Sequence, residues 1–384
     1  MKIGIITIHN SPNYGASLQT FALYTYLVQQ GYNVEIIDLL RPSFNEFKPS
    51  KKFKPYQHFK PALKQKIKKV ITFLFIKQKK TINKIPQYTN PISLNKFNQF
   101  NSQLKYSQRY YSIDELYKTP PKYDIYITGS DQVWNPTQNY CLEPYFLTFV
   151  QNGKKISYAS SIGIEELTKE EKKDFSKWLH SYNAISVREN TAKALLTNII
   201  RNKEIKKVSD PTFLLNPKYW LELSIKPDIR NYILVFTLEF NSSIVNYALE
   251  LGKQSNKQVI VLNQIQPIYE TKKYISVYDA GPQEFLGYIA NADLILTDSF
   301  HCTVFSIILK TKNFYTYIDP WNIRGSRIKD LLQTFHLENH LLKQDKSQTW
   351  EELNSNTINY LDIEKIFLSE QQDSRNYLLS QLHN

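Results

Sequence analysis

Cysteine is almost missing from these 384 residues: Cys141 and Cys302 are the only two. That excludes a disulfide framework and suits a reducing cytosol. Long apolar runs are missing as well, and none approaches the roughly 18–20 residues that cross a bilayer. The opening MKIGIITIHN runs straight into a strand pattern, with no charged leader and no long apolar segment, so no signal peptide is expected. GxGxxG and GxxxxGK followed by Ser or Thr are both absent, which argues against an ordinary dinucleotide site and a P-loop. No Cys/His/Asp spacing suggests a metal site, so neither a metal nor a resident cofactor is expected.

Acidic residues are missing from one segment. Between Glu46 and Asp114 there is none, while sixteen lysines and arginines lie from Lys48 to Arg109. Those sixteen exceed the net charge of +13, so the excess is local. Inside the segment Leu63, Ile67, Val70 and Leu74 follow helical spacing with lysines on the other faces. Basic amphipathic helices lie against anionic membrane surfaces; the alternative is a lysine-coated helix packed on its own domain. No nucleic-acid motif accompanies the charge, so nucleic acid is not an expected partner.

What is present is a soluble composition, 42% hydrophobic and 22% charged, with enough length for two domains. Strand and helix patterns alternate. Ile3–Ile8 reads as a buried strand, Ser17–Gln30 as a helix capped by Ser17, and Val34–Asp38 as the next strand. After the interruption at 41–120 come strands at Asp124–Thr128, Ile156–Ala159 and Ala184–Val187, with a surface helix at Glu165–Leu179. A linker is expected at Pro217–Arg230. Tyr232–Thr237, Ser243–Gln254 and Val259–Leu262 then restart the alternation. The expected class is α/β, with two Rossmann-like domains facing across a cleft. The first spans 1–222 with a basic helical insert at about 41–120. The second spans 223–384 and ends in a polar helical tail.

The chain is organised around Ala292–Phe314, ADLILTDSFHCTVFSIILKTKNF. Leu294, Ile295 and Leu296 suit a buried parallel strand; Thr303–Leu309 shows helical spacing; Asp298, Ser299 and His301 fall in the loop between. Ligands in open α/β sheets bind at the carboxyl ends of strands, so this histidine sits where chemistry is usually done. A capping or buried structural histidine is the other reading. Arg188, directly after a strand, can clamp a carboxylate or phosphate, or can pair with Glu189 to brace a sheet edge. Trp134 offers an indole for a sugar face, or fills a core.

TDSFHCTVFSIILKTKNF resembles the C-terminal motif of the polysaccharide pyruvyl transferases. IGIITIHNSPNYGASLQTFAL, YDIYITGSDQVWNP, KISYASSIG, ISVRE and GSRIKDLL fit the same family in the same order, over about residues 1–340. One departure is Cys302, where the family usually has Gly. The resemblance implies an architecture like that of the two-domain, GT-B type glycosyltransferases. It also implies transfer of pyruvate from phosphoenolpyruvate, as co-substrate, onto a cell-surface glycan or its lipid-linked precursor as a ketal. His301 and Arg188 would then be catalytic. Arg188, Asp298, Ser299, Arg324 and Arg327 would hold the donor, and Asn13, Tyr14, Asp131, Gln132 and Trp134 the acceptor. The expected location is the cytoplasm, with the basic insert against the inner face of the membrane. Two other readings stay open: a nucleotide-sugar-dependent glycosyltransferase of the same plan, and a non-catalytic, membrane-associated glycan assembly protein.

Overall fold

The computed structural model describes residues 1–9, 11–50, 88–138, 143–263, 265–266, 273–319 and 325–383. The amphipathic helix expected at 63–74 lies outside them, as do Cys141 and Arg324.

The first half contains β1 (Lys2–Ile6), β2 (Asn33–Ile36), β3 (Tyr88–Thr89), β4 (Ile125–Thr128), β5 (Lys154–Ser157), β6 (Ile185–Val187) and β7 (Ile205–Lys207). Its main sheet is parallel in the order β2-β1-β4-β5. Bridges from Ile156 to Ala184 and from Ser160 to Val187 carry it on into the β6–β7 pair. The chain reverses its direction of growth between β1 and β4. The second half contains β8 (Tyr232–Phe236), β9 (Gln258–Leu262), β10 (Ile265–Gln266), β11 (Ile275–Val277), β12 (Leu294–Thr297) and β13 (Phe314–Thr316). Its sheet is parallel in the order β11-β9-β8-β12-β13, with the reversal between β8 and β12. Both halves are therefore Rossmann-like. Ligand sites in such sheets open outside the carboxyl ends of the strands at the reversal. The short β10 pairs antiparallel with β3 and ties the halves together.

The strands read as unbroken apolar runs because helices cover both faces of each sheet. The helix Tyr14–Gln29 lies between the halves and is buried on nearly every side. Phe21 packs on Phe100 and Trp220 from one half, while Tyr14 stacks on Phe285 of the other at 4.4 Å. One apolar core runs from Ile3 and Leu18 through this helix to Leu234 and Phe305.

Three expectations change. The helix begins at Tyr14 and is capped by Asn13, whose Oδ1 accepts from the Ala16 N–H at 3.1 Å; Ser17 is interior and buried. Part of the expected linker is a helix, Pro217–Leu223, which buries Trp220. The tail helix Tyr360–His383, expected with the second domain, returns to the first half. There Ser374 Oγ accepts from the Ser209 N–H at 2.9 Å, and Gln371 Nε2 donates to the Phe213 carbonyl at 2.6 Å.

Candidate active site between the two sheets

β12 ends at Thr297, whose Oγ1 donates to the Phe236 carbonyl across the sheet reversal at 2.6 Å and accepts from the Ser299 N–H at 3.0 Å. That fixes Ser299 as the cap of the helix Phe300–Ile308, with its Oγ accepting from the Cys302 N–H. His301 falls in the first turn and points out of its own half. Its ring lies against Gly15, at the start of the helix Tyr14–Gln29. A Cβ added to Gly15 would stand 2.1 Å from His301 Nδ1, so only glycine permits this approach. The N-terminal and C-terminal motifs thus meet at one imidazole.

On the other side of the ring stands Asp210, fully buried, with its Oδ2 3.5 Å from His301 Nε2. The same oxygen accepts from Arg188 Nη1 at 2.6 Å and from Ser130 Oγ at 3.2 Å, while Oδ1 accepts from the Thr212 N–H and hydroxyl. Burial alone would raise the Asp210 pKa. The charge of His301 beside it and then the charge and hydrogen bond of Arg188 hold it well below the usual carboxylate range. It is a permanent anion between an arginine and a histidine.

Arg188 follows β6 directly and is itself buried. Among the described residues only Nη1 is engaged; Nε and Nη2 are buried and meet no hydrogen-bond partner there. Buried donors are almost always satisfied, and leaving one unmade costs about 1–3 kcal/mol, so these two N–H groups can take a water or a ligand. The guanidinium lies 4.2 Å from the centre of the Phe300 ring, and that of Arg327 lies 5.7 Å from the same centre. Two cations therefore flank one aromatic ring beside one histidine. Arg188, Arg327, Phe300 and Lys207 border a cavity of about 20 Å³, room for a single water, with Glu189, Asp210, Asp330 and Glu370 also on its walls.

His301, Arg188, Arg327 and Ser299 thus come together. Glu189 does not pair with Arg188: its Oε1 accepts from Ser161 Oγ and from the Ile162 and Gly163 N–H groups at 2.8–2.9 Å, fastening that loop. Asp298 is set apart, with Oδ1 accepting from the Leu238 N–H at 2.8 Å at the end of β8. Trp134 is fully buried against Phe146, and its Nε1 donates to the Tyr145 carbonyl at 3.0 Å. It is core and no platform for a sugar, because no face is open. Tyr14 is likewise buried, donating to the Ala280 carbonyl. Gln132 is buried and accepts from Asn135 Nδ2, while Asp131, at φ 70°, accepts from its neighbour's N–H. Asp131 contributes to the site through its negative charge near Arg188. Asn13 caps its helix.

Sequence reading missed Asp210, Ser130, Gly15 and Phe300 as site residues. Asp210 carried a signal, an acidic residue before Pro211 at the end of a strand, but nothing in the sequence pairs it with residues 188 and 301. Cys302 causes no disturbance. It occupies an ordinary helical position without positive φ, and burial pushes its thiol up to about 12.

Asp298 titrates unusually. Burial, with added repulsion from Glu239 and Asp319 against the Leu238 hydrogen bond, raises its carboxyl to about 6. The folded protein then holds a proton that the unfolded chain has released, so this group's stabilisation fades as pH rises from about 4 to about 6. Asp298→Asn should flatten that slope, removing about 2–3 kcal/mol of pH dependence in urea unfolding. An unaltered slope would mean the carboxyl titrates normally.

A family model for polysaccharide pyruvyl transferase matches residues 13–320. The chain belongs to that family. In this polysaccharide pyruvyl transferase family member the matched span includes Gly15, Ser130, Arg188, Asp210 and His301, and ends before Arg327. No curated protein matches the chain. Among solved structures it is similar to Arabidopsis thaliana UGT89C1 complexed with UDP, with a TM-score of 0.50, 10% identity and 99% of each chain covered. It is also similar to UDP-N-acetylglucosamine 2-epimerase from Rickettsia bellii, at 0.49 and 11% identity over 100% of this chain and 97% of that one. A third is UDP-GlcNAc 2-epimerase from Neisseria meningitidis bound to UDP-GlcNAc, at 0.47 and 13% identity over all of both chains. At 10% identity the likeness to the first is one of fold: two Rossmann-like domains in the GT-B arrangement.

Proposed function

We propose that this protein moves the pyruvyl group of phosphoenolpyruvate onto two hydroxyls of one sugar in a glycan, forming a ketal and releasing phosphate. The observation that carries this reading is Arg188, with two buried and unpartnered N–H groups beside Arg327, Phe300 and His301. The donor carries a phosphate and a carboxylate, and a planar guanidinium binds either in bidentate fashion.

The chemistry follows from charge and proton placement. A proton adds to the donor's methylene carbon, which becomes the methyl group, and the central carbon turns electrophilic. One sugar hydroxyl adds there and loses its proton. Phosphate leaves with the C–O bonding pair, and the second hydroxyl adds at the same carbon and loses its own proton. His301 moves these protons, with Asp210 orienting the ring; such a group typically contributes about 10²–10⁴ in rate. Arg188 and Arg327 stabilise the departing phosphate. Because the cavity beside Arg188 holds no more than a water, the halves part to admit the donor.

Turnover tests the reading. Phosphate should be released from phosphoenolpyruvate only when a sugar with two suitably placed hydroxyls is present. Consumption of a nucleotide sugar, with phosphoenolpyruvate left untouched, would transfer the site to glycosyl chemistry.

The acceptor class extends to lipid-linked glycan precursors at an anionic inner leaflet, reached from the cytoplasm through the basic insert. Among the described residues no helix is long and apolar enough to cross a membrane. Each basic residue near such a surface contributes on the order of 1 kcal/mol, lost with salt. The protein should co-sediment with anionic vesicles at low salt, and changing Lys64, Lys66, Lys68 and Lys69 to Glu should release it. Indifference of the unaltered protein to such vesicles would remove the membrane from the scheme.

A further inference from the structure

With Trp134 and Tyr14 committed to the core, the acceptor side of the cleft lacks an assigned surface. The loop after β1 and the two ends of the basic insert enclose a groove of about 320 Å³, within the range of small-molecule sites. Among the described residues its polar and aromatic lining includes Ser11, Phe44, Asn98, Asn101, Tyr106 and Arg109. Phe44 and Tyr106 are partly open to solvent, and Asn98 is exposed. The side-chain carbonyl of Asn101 is buried and meets no donor among the described residues. An unmet acceptor of this kind suits a hydroxyl from a ligand.

The electrostatics select the ligand further. Arg109 is anchored by Asp38 at 2.8 Å, and Asp38 also meets His9 Nε2 at 3.0 Å. Among the described lining residues Glu46 balances the one guanidinium, so no positive charge is in excess there. Such a balance suits a neutral, hydroxyl-rich molecule better than an anion. Aromatic faces with flanking amides are what a pyranose ring needs: C–H groups on the rings, hydroxyls on the amides.

Position connects the groove to the chemistry. Pro12 is on its wall, and Gly15, three residues later, lies under His301. Three residues span at most about 11 Å, so one or two sugar rings bridge the distance. Phe97, at the groove's floor, contacts the Tyr14 ring with centroids 5.1 Å apart.

We propose that this groove binds the acceptor glycan as a neutral pyranoside, with a ring face on Phe44 or Tyr106 and a hydroxyl on Asn101. The proposal rests on the pyruvyl-transfer reading for the sugar's role as reactant, and on the groove alone for its binding. The probes are methyl glycosides of glucose, galactose, mannose and N-acetylglucosamine, observed by saturation-transfer NMR on the full-length protein. At least one should show transfer. Asn98→Trp, which fills the groove from an exposed position, and Tyr106→Ala should each cut that signal at least about tenfold while leaving phosphoenolpyruvate affinity within about twofold. No transfer from any of the four sugars, or full transfer to Asn98→Trp, overturns the groove assignment. Loss of phosphoenolpyruvate binding in the unaltered protein, with groove-dependent sugar binding intact, instead overturns the donor reading and leaves the groove standing.

Discussion

His301→Ala is expected to lower turnover at least about 10²-fold while the melting temperature falls only slightly. The ring is buried but lies at a boundary between halves, with Asp210 on one side and Gly15 on the other. Removing it deletes the proposed proton carrier, and the apolar core loses little. Gly15→Ala makes a sharper companion, since it retains every titrating group. Its new methyl would stand 2.1 Å from His301 Nδ1, so the ring must move. Turnover should fall at least about tenfold, because a displacement of about 1 Å can cost up to 10²-fold in a positioned reaction. Wild-type turnover in either variant would assign His301 to packing alone.

Asp210→Ala should produce the largest loss of stability. It leaves Arg188 buried beside Phe300 without its bonded carboxylate, and breaking one side of a buried pair costs about 3–5 kcal/mol. The result should appear in urea unfolding as a lowered midpoint with an unchanged slope. Replacing both partners, Arg188→Met with Asp210→Leu, should recover much of that loss, because apolar groups of similar volume need no solvation. The double variant should still be inactive. If Asp210→Ala were as stable as the unaltered protein, the pair would be solvated in solution.

Much of this was legible in the sequence, for identifiable reasons. β8, β9 and β12 are short apolar runs followed by helical spacing, which a parallel sheet makes unavoidable. His301 and Arg188 drew attention because each lies just beyond a strand, while position alone left a structural reading open for both and the family resemblance favoured catalysis. Trp134 and Tyr14 were misread because an aromatic ring in a polar loop looks the same whether it faces solvent or the core. Only the stacking on Phe146 and on Phe285 distinguishes the two. Asp210 escaped because its partners lie 22 and 91 positions away, and no local pattern encodes a contact across two domains. The helix Tyr14–Gln29 was placed slightly late because being buried all round removes the polar face that would mark its start.

Calorimetric titration with phosphoenolpyruvate, comparing the unaltered protein with Arg188→Lys, tests the donor site most directly. Lysine retains the charge but lacks the planar fork, so binding should be clear in the first and at least about tenfold weaker in the second. Equal affinity in the two proteins, or no heat with either, would contradict the assignment of the Arg188–Asp210–His301 cluster to the donor.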